Sequence, residues 1–326
     1  MRKITMSEAL NEALREELDR DEKVIILGEG VGDNEGAFKV TKGLLSAYGP
    51  DRIIDTPISE NSMAGFATGA AVTGMRPVLE LMYGNFALLA MDQIINQASK
   101  MRYMSGKQFF APMTIRTIGG IGHGYGAHHS DTFESFYMHV PGLKVIMPST
   151  PYDAKGLLKS AIRDNNPVIF VEPKMLYYVK GEVPEEEYTL PIGKADVKKV
   201  GTDVTVVATQ TMVIQSLKAA EDLEKEGISI EVVDPMTLKP LDISTIVKSV
   251  QKTNRVLIVH EAYKYCASGS EISAQIMEHA FYYLDQPVRR LTGVEVPAPV
   301  CKALEPLVIP TAVTIAQTVR DMLKGE

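Results

Sequence analysis

The sequence predicts an α/β protein of two domains, and three observations carry that expectation. Its 326 residues are about twice the roughly 150 expected per domain. Short apolar runs bounded by Gly, Pro or Asp alternate with longer helical stretches, the pattern of a parallel sheet whose connections cross back as helices. The alternation breaks once, over a Lys-, Glu- and Pro-rich stretch, and then restarts.

The chain opens with Thr5-Met6-Ser7-Glu8, which has capping-box form, and Leu10, Leu14 and Leu18 then recur at i+4, so an amphipathic helix is expected there. Apolar runs at 24–27, 53–54, 78–82, 113–118, 143–147 and 168–171 read as strands buried on both faces. Helical stretches at 63–73, 86–104 and 152–163 lie between several of them. From 173 to about 200 the sequence carries Pro184, Glu185-Glu186-Glu187 and Pro191. The expected division is therefore a first domain over 1–178, a linker over 179–199 and a second domain over 200–326. In the second, runs at 204–208, 228–233, 256–259 and 288–291 read as strands, with helices near 212–226, 243–250, 269–283 and 311–323. The halves differ in length and motifs, so duplication is not supported.

Composition narrows the function classes. Hydrophobic residues at 45% and charged residues at 23% are ordinary for a soluble globular protein. No uninterrupted apolar run approaches the roughly 18 residues of a membrane span. The net charge of -7 comes without a long basic run, which argues against nucleic acid as the main partner. Two cysteines, Cys266 and Cys301, cannot build a disulfide framework or a four-thiolate metal site. The first residues carry acids from Glu8 onward and no apolar core segment, so no signal peptide is read and the cytoplasm is expected.

Two glycine-rich stretches invite a nucleotide reading, and both fail it. After the run 24–27 come Gly28-Glu29-Gly30, but the third glycine of a dinucleotide fingerprint would fall on Asp33. The run GGIGHGYG at 119–126 has no three glycines at that spacing, and no GK[ST] closes it. It leads into His128-His129-Ser130-Asp131, so His123, His128, His129 and His139 stand close together. Neither HExxH nor a nearby Cys accompanies them, and adjacent His128 and His129 point apart on any regular backbone. Structural hydrogen bonding accounts for most of these histidines, while one on a loop after a strand is placed for proton transfer near neutral pH.

A third stretch, 52–61, reads as a strand, a proline-restricted turn and then a carboxylate, Glu60, at the start of a helix of small residues. Alone, Glu60 is a helix-start acid favoured by the positive helix end. The following AGFATGAA segment is too apolar for the surface and lets backbones approach closely. A carboxylate desolvated beside it can exchange a proton with a ligand.

IIDTPISE, NFALLAMDQIINQASKMRYMSG, HHSD followed by PGLKVIMPSTPYDAKGLLKSAIRDNNPVIFVEPKMLY, and VVDPMTLKPLD together resemble the beta subunit of the thiamine-diphosphate-dependent component of 2-oxoacid dehydrogenase complexes. Pyruvate, branched-chain and acetoin dehydrogenases share this subunit, and the resemblance runs over nearly the whole chain in order. It implies a transketolase-type pyrimidine-binding domain followed by a transketolase C-terminal domain, in an α2β2 heterotetramer that serves a lipoyl acyltransferase core. It implies oxidative decarboxylation of a 2-oxoacid, or cleavage of acetoin, with acylation of lipoamide.

By the same resemblance Glu60 bonds the aminopyrimidine ring of thiamine diphosphate and promotes its imino form, whose nitrogen removes the thiazolium C2 proton. Phe86 corresponds to the aromatic packing on that ring, though a core position on a helix explains it equally, and Ile58 corresponds to the nearby wall. His129 matches the histidine that helps pass the acyl group to the lipoyl arm, and Glu29 joins the hydrogen-bond network. Met113, Ala161, Ile162, Asp164 and Asn166 match a loop whose oxygens bind a structural potassium ion in several members. Asp131 stands where the family commonly has Gln, and Leu89 where pyruvate-type members often have Gln, which leaves the acyl group open.

Two other readings remain. A split transketolase or deoxyxylulose-phosphate synthase half needs basic side chains for a substrate phosphate, and the glycine-histidine loop has none. A non-catalytic interaction subunit would leave Glu60 and His129 as relics. Thiamine enzymes hold the diphosphate through Mg²⁺ on a loop of form GDG with a later Asn. Gly32-Asp33-Asn34 lacks the final glycine, and Asn165-Asn166 has no GDG upstream, so the Mg²⁺ and diphosphate are expected on an alpha subunit.

Overall fold

Burial on both faces organises the first half of the chain. In a computed structural model, which describes residues 1–325, the chain divides into two units, one of 1–119 with 136–192 and the other of 120–135 with 193 onward. In the first unit the strands are β1 (Arg2–Thr5), β2 (Val24–Gly28), β3 (Ile53–Asp55), β4 (Arg76–Leu81), β5 (Thr114–Gly119), β6 (Lys144–Ile146), β7 (Val168–Pro173) and β8 (Lys180–Val183). Helices α1 (Met6–Arg20), α2 (Leu44–Tyr48), α3 (Glu60–Val72), α4 (Gly84–Ala87), α5 (Ser99–Met104), α6 (Glu134–His139) and α7 (Pro151–Arg163) join them.

The capping box predicted at the start is formed. Thr5 Oγ1 accepts from the Glu8 N–H, and the Glu8 carboxylate accepts from the Thr5 N–H at 2.7 Å. Leu10, Leu14 and Leu18 of α1 are buried. The parallel strands run in the order β6-β7-β5-β4-β2-β3. Every residue of β2, β5 and β7 is buried, which is why these runs show no alternation in the sequence. From β2 the chain winds outward to β3 and then returns to β4 on the other side of β2. The winding direction therefore reverses between β2 and β4, and in open α/β sheets ligands bind at the carboxyl ends of strands beside such a reversal.

Two features depart from the expected elements. The stretch 86–104 is not one uniform helix: α4 passes through a 3₁₀ turn at Leu88–Ala90 and a π-helical segment at Asp92–Ala98 before α5. Gly65 of α3 lies within van der Waals reach of Gln93 in that segment, because a Cβ there would stand 3.5 Å from Gln93 Oε1. In addition, the Lys- and Glu-rich stretch 179–199 holds two strands. β8 pairs antiparallel with β1, and β9 (Asp196–Lys199) is an antiparallel edge of the second unit's sheet.

That second sheet has the order β14 (Arg289–Gly293), β13 (Val256–Tyr263), β10 (Val204–Ala208), β11 (Ile230–Asp234), β9. Helices α8 (Thr211–Glu224), α9 (Ile243–Thr253), α10 (Ser268–Ala280), α11 (Glu305–Val308) and α12 (Ala312–Lys324), with the short strand β12 (Thr237–Lys239), complete the unit. Val204, Val206, Met212, Val232, Leu257, Val259, Ile315 and Val319 form its core.

In the first unit the centre of the sheet carries a charge. Arg116 of β5 is 2% exposed. Its Nε and Nη2 donate to the Glu172 carboxylate on β7 at 2.6 and 2.8 Å, and Nη1 donates to Glu80 on β4. Tyr177 donates its hydroxyl to Glu172. Burial raises the Glu80 pKa despite the opposing Arg116 charge, and the Glu172 charge adds to the rise. Arg116→Met removes the only cation shared by these two carboxylates, so stability should fall by about 3–5 kcal/mol. A urea denaturation midpoint within error of the unaltered protein would contradict this pairing.

Candidate active site

The loops that leave β2, β3 and β4 carry four residues singled out from the sequence. Glu29 directly follows β2, Ile58 and Glu60 follow β3, and Phe86 lies in α4 just after β4. The winding reversal thus gathers at one edge of the sheet residues that lie far apart in sequence. Glu60 is the first residue of α3 and only 7% exposed. Its carboxylate makes no hydrogen bond or ion pair among the described residues, and its oxygens are not among the fully buried unpartnered atoms, so they stay open to solvent or to a ligand. Glu29 lies near it. Burial foremost, then the Glu60 charge, raises the Glu29 pKa.

A cavity of about 490 Å³ opens beside these groups, lined among others by Glu29, Asn34, Lys39, Thr56, Ile58 and Met82. Thr56 Oγ1 is buried there without a hydrogen-bond partner. Ile58 is 80% exposed, an apolar side chain that the first unit leaves uncovered. Phe86 is half-buried and meets the Tyr83 ring edge-on, with centroids 5.6 Å apart. An unpartnered carboxylate, a hydroxyl and two apolar walls suit an aminopyrimidine ring, which offers ring nitrogens and flat faces. The donor set therefore fits the pyrimidine half of thiamine diphosphate.

The sequence reading missed the residue that shapes this cavity's rim. Asp55, the last residue of β3, accepts from the N–H groups of Gly32 and Asp33, both at 2.8 Å, and so holds the loop after Glu29. Gly28 is required at the end of β2, because a Cβ would stand 2.8 Å from the Glu80 carbonyl oxygen. An Asp directly before Thr-Pro, opposite a glycine-rich loop, was the available signal.

His129 belongs to the second unit. It closes a one-turn 3₁₀ helix, Ala127–His129, and its ring lies 6.4 Å from that of Tyr125. His123, His128 and His139 are exposed. The turn is poorly self-supporting, since the His129 N–H reaches the Gly126 oxygen only at 3.4 Å.

Met113, Ala161, Ile162, Asp164 and Asn166 come together near the end of α7, and protein donors already engage their oxygens. Arg76 Nη1 donates to the carbonyls of Ile162 and Asp164, each at 3.0 Å. Arg102 donates to Asn166 Oδ1 at 2.8 Å, and Lys144 pairs with the Asp164 carboxylate. The Met113 and Ala161 carbonyls accept from Val168 and Asp164. Burial alone would raise the Asp164 pKa, but Lys144 and the Asn166 donors outweigh it and hold it low. The oxygens suit a hard cation, yet one would share them with Arg76 and Arg102, which the sequence did not reveal.

Comparison with known proteins shows which family the chain belongs to. The family described as transketolase, pyrimidine binding domain, matches residues 2–180, and that described as transketolase, C-terminal domain, matches 193–315. The chain is 45% identical over 321 residues to the pyruvate dehydrogenase E1 component subunit beta of Rhizobium meliloti (strain 1021), covering 98% of this chain and 70% of that one. To the protein of the same name from Bacillus subtilis (strain 168) it is 45% identical over 325 residues, covering 99% and 100%. To the mitochondrial one of Dictyostelium discoideum it is 49% identical over 308 residues, covering 93% and 86%. A solved structure described as split gene transketolase, inactive beta4 tetramer, has a TM-score of 0.81 at 25% identity, covering 98% of each chain.

The Glu29 shift has a consequence for stability. A carboxyl whose pKa is raised by folding is better protonated in the folded state than in the unfolded one. Its favourable contribution is complete below the ordinary glutamate pKa and is lost as pH rises through the raised value. Glu29→Gln stays neutral throughout, so its thermal midpoint relative to the unaltered protein should climb as pH rises above the ordinary glutamate pKa and level off above the raised one. A midpoint difference that stays flat over this range would show that Glu29 titrates as in water.

Proposed function

The chain belongs to the family of pyruvate dehydrogenase E1 component beta subunits, built from transketolase pyrimidine-binding and C-terminal domains, and on that premise we propose that it is the beta subunit of a thiamine-diphosphate-dependent, pyruvate-type 2-oxoacid dehydrogenase component. With an alpha subunit, in an α2β2 heterotetramer, it catalyses oxidative decarboxylation and acylates lipoyl groups of an acyltransferase core, in the cytoplasm. The observation that carries this reading is Glu60, a carboxylate with no partner among the described residues whose oxygens stay open to a ligand, at the sheet edge where the winding reverses. Bound thiamine diphosphate supplies the nucleophile and the electron sink for decarboxylation.

The chain's own residues prepare that chemistry. The Glu60 carboxylate holds a proton against a pyrimidine ring nitrogen, a charge-assisted contact stronger than a neutral hydrogen bond. Ile58 and Phe86 form the apolar walls of the ring site. Glu29 joins the hydrogen-bond network around the ring site, its raised pKa favouring a proton there. His129, from the loop of the second unit, moves a proton at the acyl acceptor. The oxygen-rich turn at 161–166 is offered to a structural potassium ion, which would share the Ile162 and Asp164 carbonyls with Arg76.

The cavity lining also supports a division of labour. Lys39 is the single basic side chain among the residues that line it, so this chain offers a diphosphate little to bind. Holding it falls to the alpha subunit, through Mg²⁺ and oxygen ligands. Acetoin cleavage would use the same residues, with the exposed Leu89 as one position where acyl donors are distinguished. A split transketolase half is favoured only by the shared fold and by Lys39 as a phosphate partner.

Titration calorimetry on the isolated chain should detect no Mg²⁺-dependent binding of thiamine diphosphate in the micromolar range, whereas the complex with its alpha subunit should bind it. That complex should then reduce lipoamide with pyruvate faster than with acetoin or branched 2-oxoacids assayed side by side. Decarboxylation by the chain alone would overturn the division proposed here. Glu60→Gln preserves shape but offers no carboxylate to the ring nitrogen, so kcat should fall by about 10²- to 10⁴-fold in a normally assembled complex. Retention of most of kcat would remove Glu60 from the mechanism.

A further inference from the structure

The loop 120–135 lies in sequence between β5 and α6, but it is packed into the second unit. Four anchors hold it there. Gly120 rests on β13, where a Cβ would stand 2.6 Å from Glu261 Oε2. The Gly124 N–H donates to Glu305 Oε1 at 2.8 Å. The Tyr263 hydroxyl donates to Asp131 Oδ1 at 3.0 Å, and Ser268 donates to Glu134 at 3.3 Å. Gly124 and Gly126 add close backbone packing against Val300, with substituted Cβ atoms falling 2.7 and 2.8 Å from its atoms.

Two of these anchors bracket His129, Glu305 on its amino side and Tyr263 on its carboxyl side. Between them lies the turn Ala127–His129, whose own backbone bond, from the His129 N–H to the Gly126 oxygen, is long at 3.4 Å. Asp131 is two residues beyond His129, and Ser130 between them is 3% exposed, which leaves little slack. Tyr263 ends β13 just past a shift in its register with β14, and that irregularity helps aim the ring at the loop. Burial, then the Asp131 hydrogen bond and charge, push the Tyr263 phenol up to about 12, so it remains a donor across the neutral and mildly alkaline range.

We infer that Asp131 and Tyr263 are a positioning pair for His129, which fixes the histidine's loop in the register needed at the acyl acceptor. This rests on the role given to His129 above. Neither residue touches the reacting atoms. Their effect is geometric, and small displacements of a proton-transfer group are costly because its efficiency depends on hydrogen-bond reach. The pairing also gives a physical reason for an aspartate at a position where the resembling family commonly has glutamine: a carboxylate makes a stronger, charge-assisted bond to a phenol.

The test uses the assembled complex and two assays, lipoamide-dependent turnover and decarboxylation read with an artificial electron acceptor. Tyr263→Phe keeps the ring and removes the donor. It should lower lipoamide-dependent kcat about tenfold while the acceptor-coupled rate changes less than about twofold. Asp131→Asn retains an oxygen for the phenol and should recover most of the lost turnover relative to Asp131→Ala. Tyr263→Phe combined with Asp131→Ala should be no slower than the worse single variant, as expected of two residues acting through one bond. Equal losses in both assays, or losses that multiply in the double variant, would overturn the pairing. A complex of the unaltered chain that decarboxylates no 2-oxoacid would instead overturn the functional reading, and that result is visible before any variant is made.

Discussion

A sheet covered on both faces can offer chemistry only at the ends of its strands, and this constraint arranges the first unit. β2, β5 and β7 have no solvent-facing side, so a ligand can reach them only beyond their carboxyl ends. The reversal of winding between β2 and β4 then decides which loops meet there. The cost of such a sheet is that any charge within it must be neutralised in place. Arg116 does so for Glu80 and Glu172 across three strands, and the backbone of Glu80 is the same surface on which Gly28 closes β2. The network that stabilises the strands thereby also fixes the point where the loop bearing Glu29 begins.

Within the crevice, the arrangement is the reverse. Arg116 meets two carboxylates and satisfies both, whereas Glu60 makes no ion pair or hydrogen bond among the described residues and Glu29 beside it has a raised pKa. A fold that pairs its central charges and leaves this one open to the crevice keeps it available to a ligand with a protonated ring nitrogen.

What the sequence revealed follows the range of the interactions concerned. The capping box at Thr5, the fully buried strand runs and the small-residue helix behind Glu60 are local patterns, and all were legible. Arg116 was hidden inside an apolar run because its partners are 36 and 56 residues away. The uniform helix expected over 86–104 failed because its pitch answers to packing against α3. The resemblance pointed to the oxygens of the turn at 161–166 but not to the arginines that engage them, since Arg76 reaches that turn from 86 and 88 residues earlier. The resemblance supplied Glu60 and His129 as a pair of roles. It gave no sign that their scaffolds would belong to different units.

That separation has its own logic. Glu60 depends on α3 and on the strand ends of the first unit, while His129 depends on a loop that the second unit holds through Glu305, Tyr263 and Ser268. In the function proposed, a proton shared with a cofactor ring calls for a rigid wall, which a buried parallel sheet provides. A proton passed to an incoming acceptor would call for a histidine the acceptor can reach, which a sheet core cannot provide and the half-buried His129 on its anchored loop can. Because each requirement is met by a different set of hydrogen bonds, substitutions in one set can alter acceptor transfer without disturbing the other. The loop 120–135 is the segment through which the two sets share one chain, and its glycines at 120, 124 and 126 are the positions that let it lie flat enough on its second support.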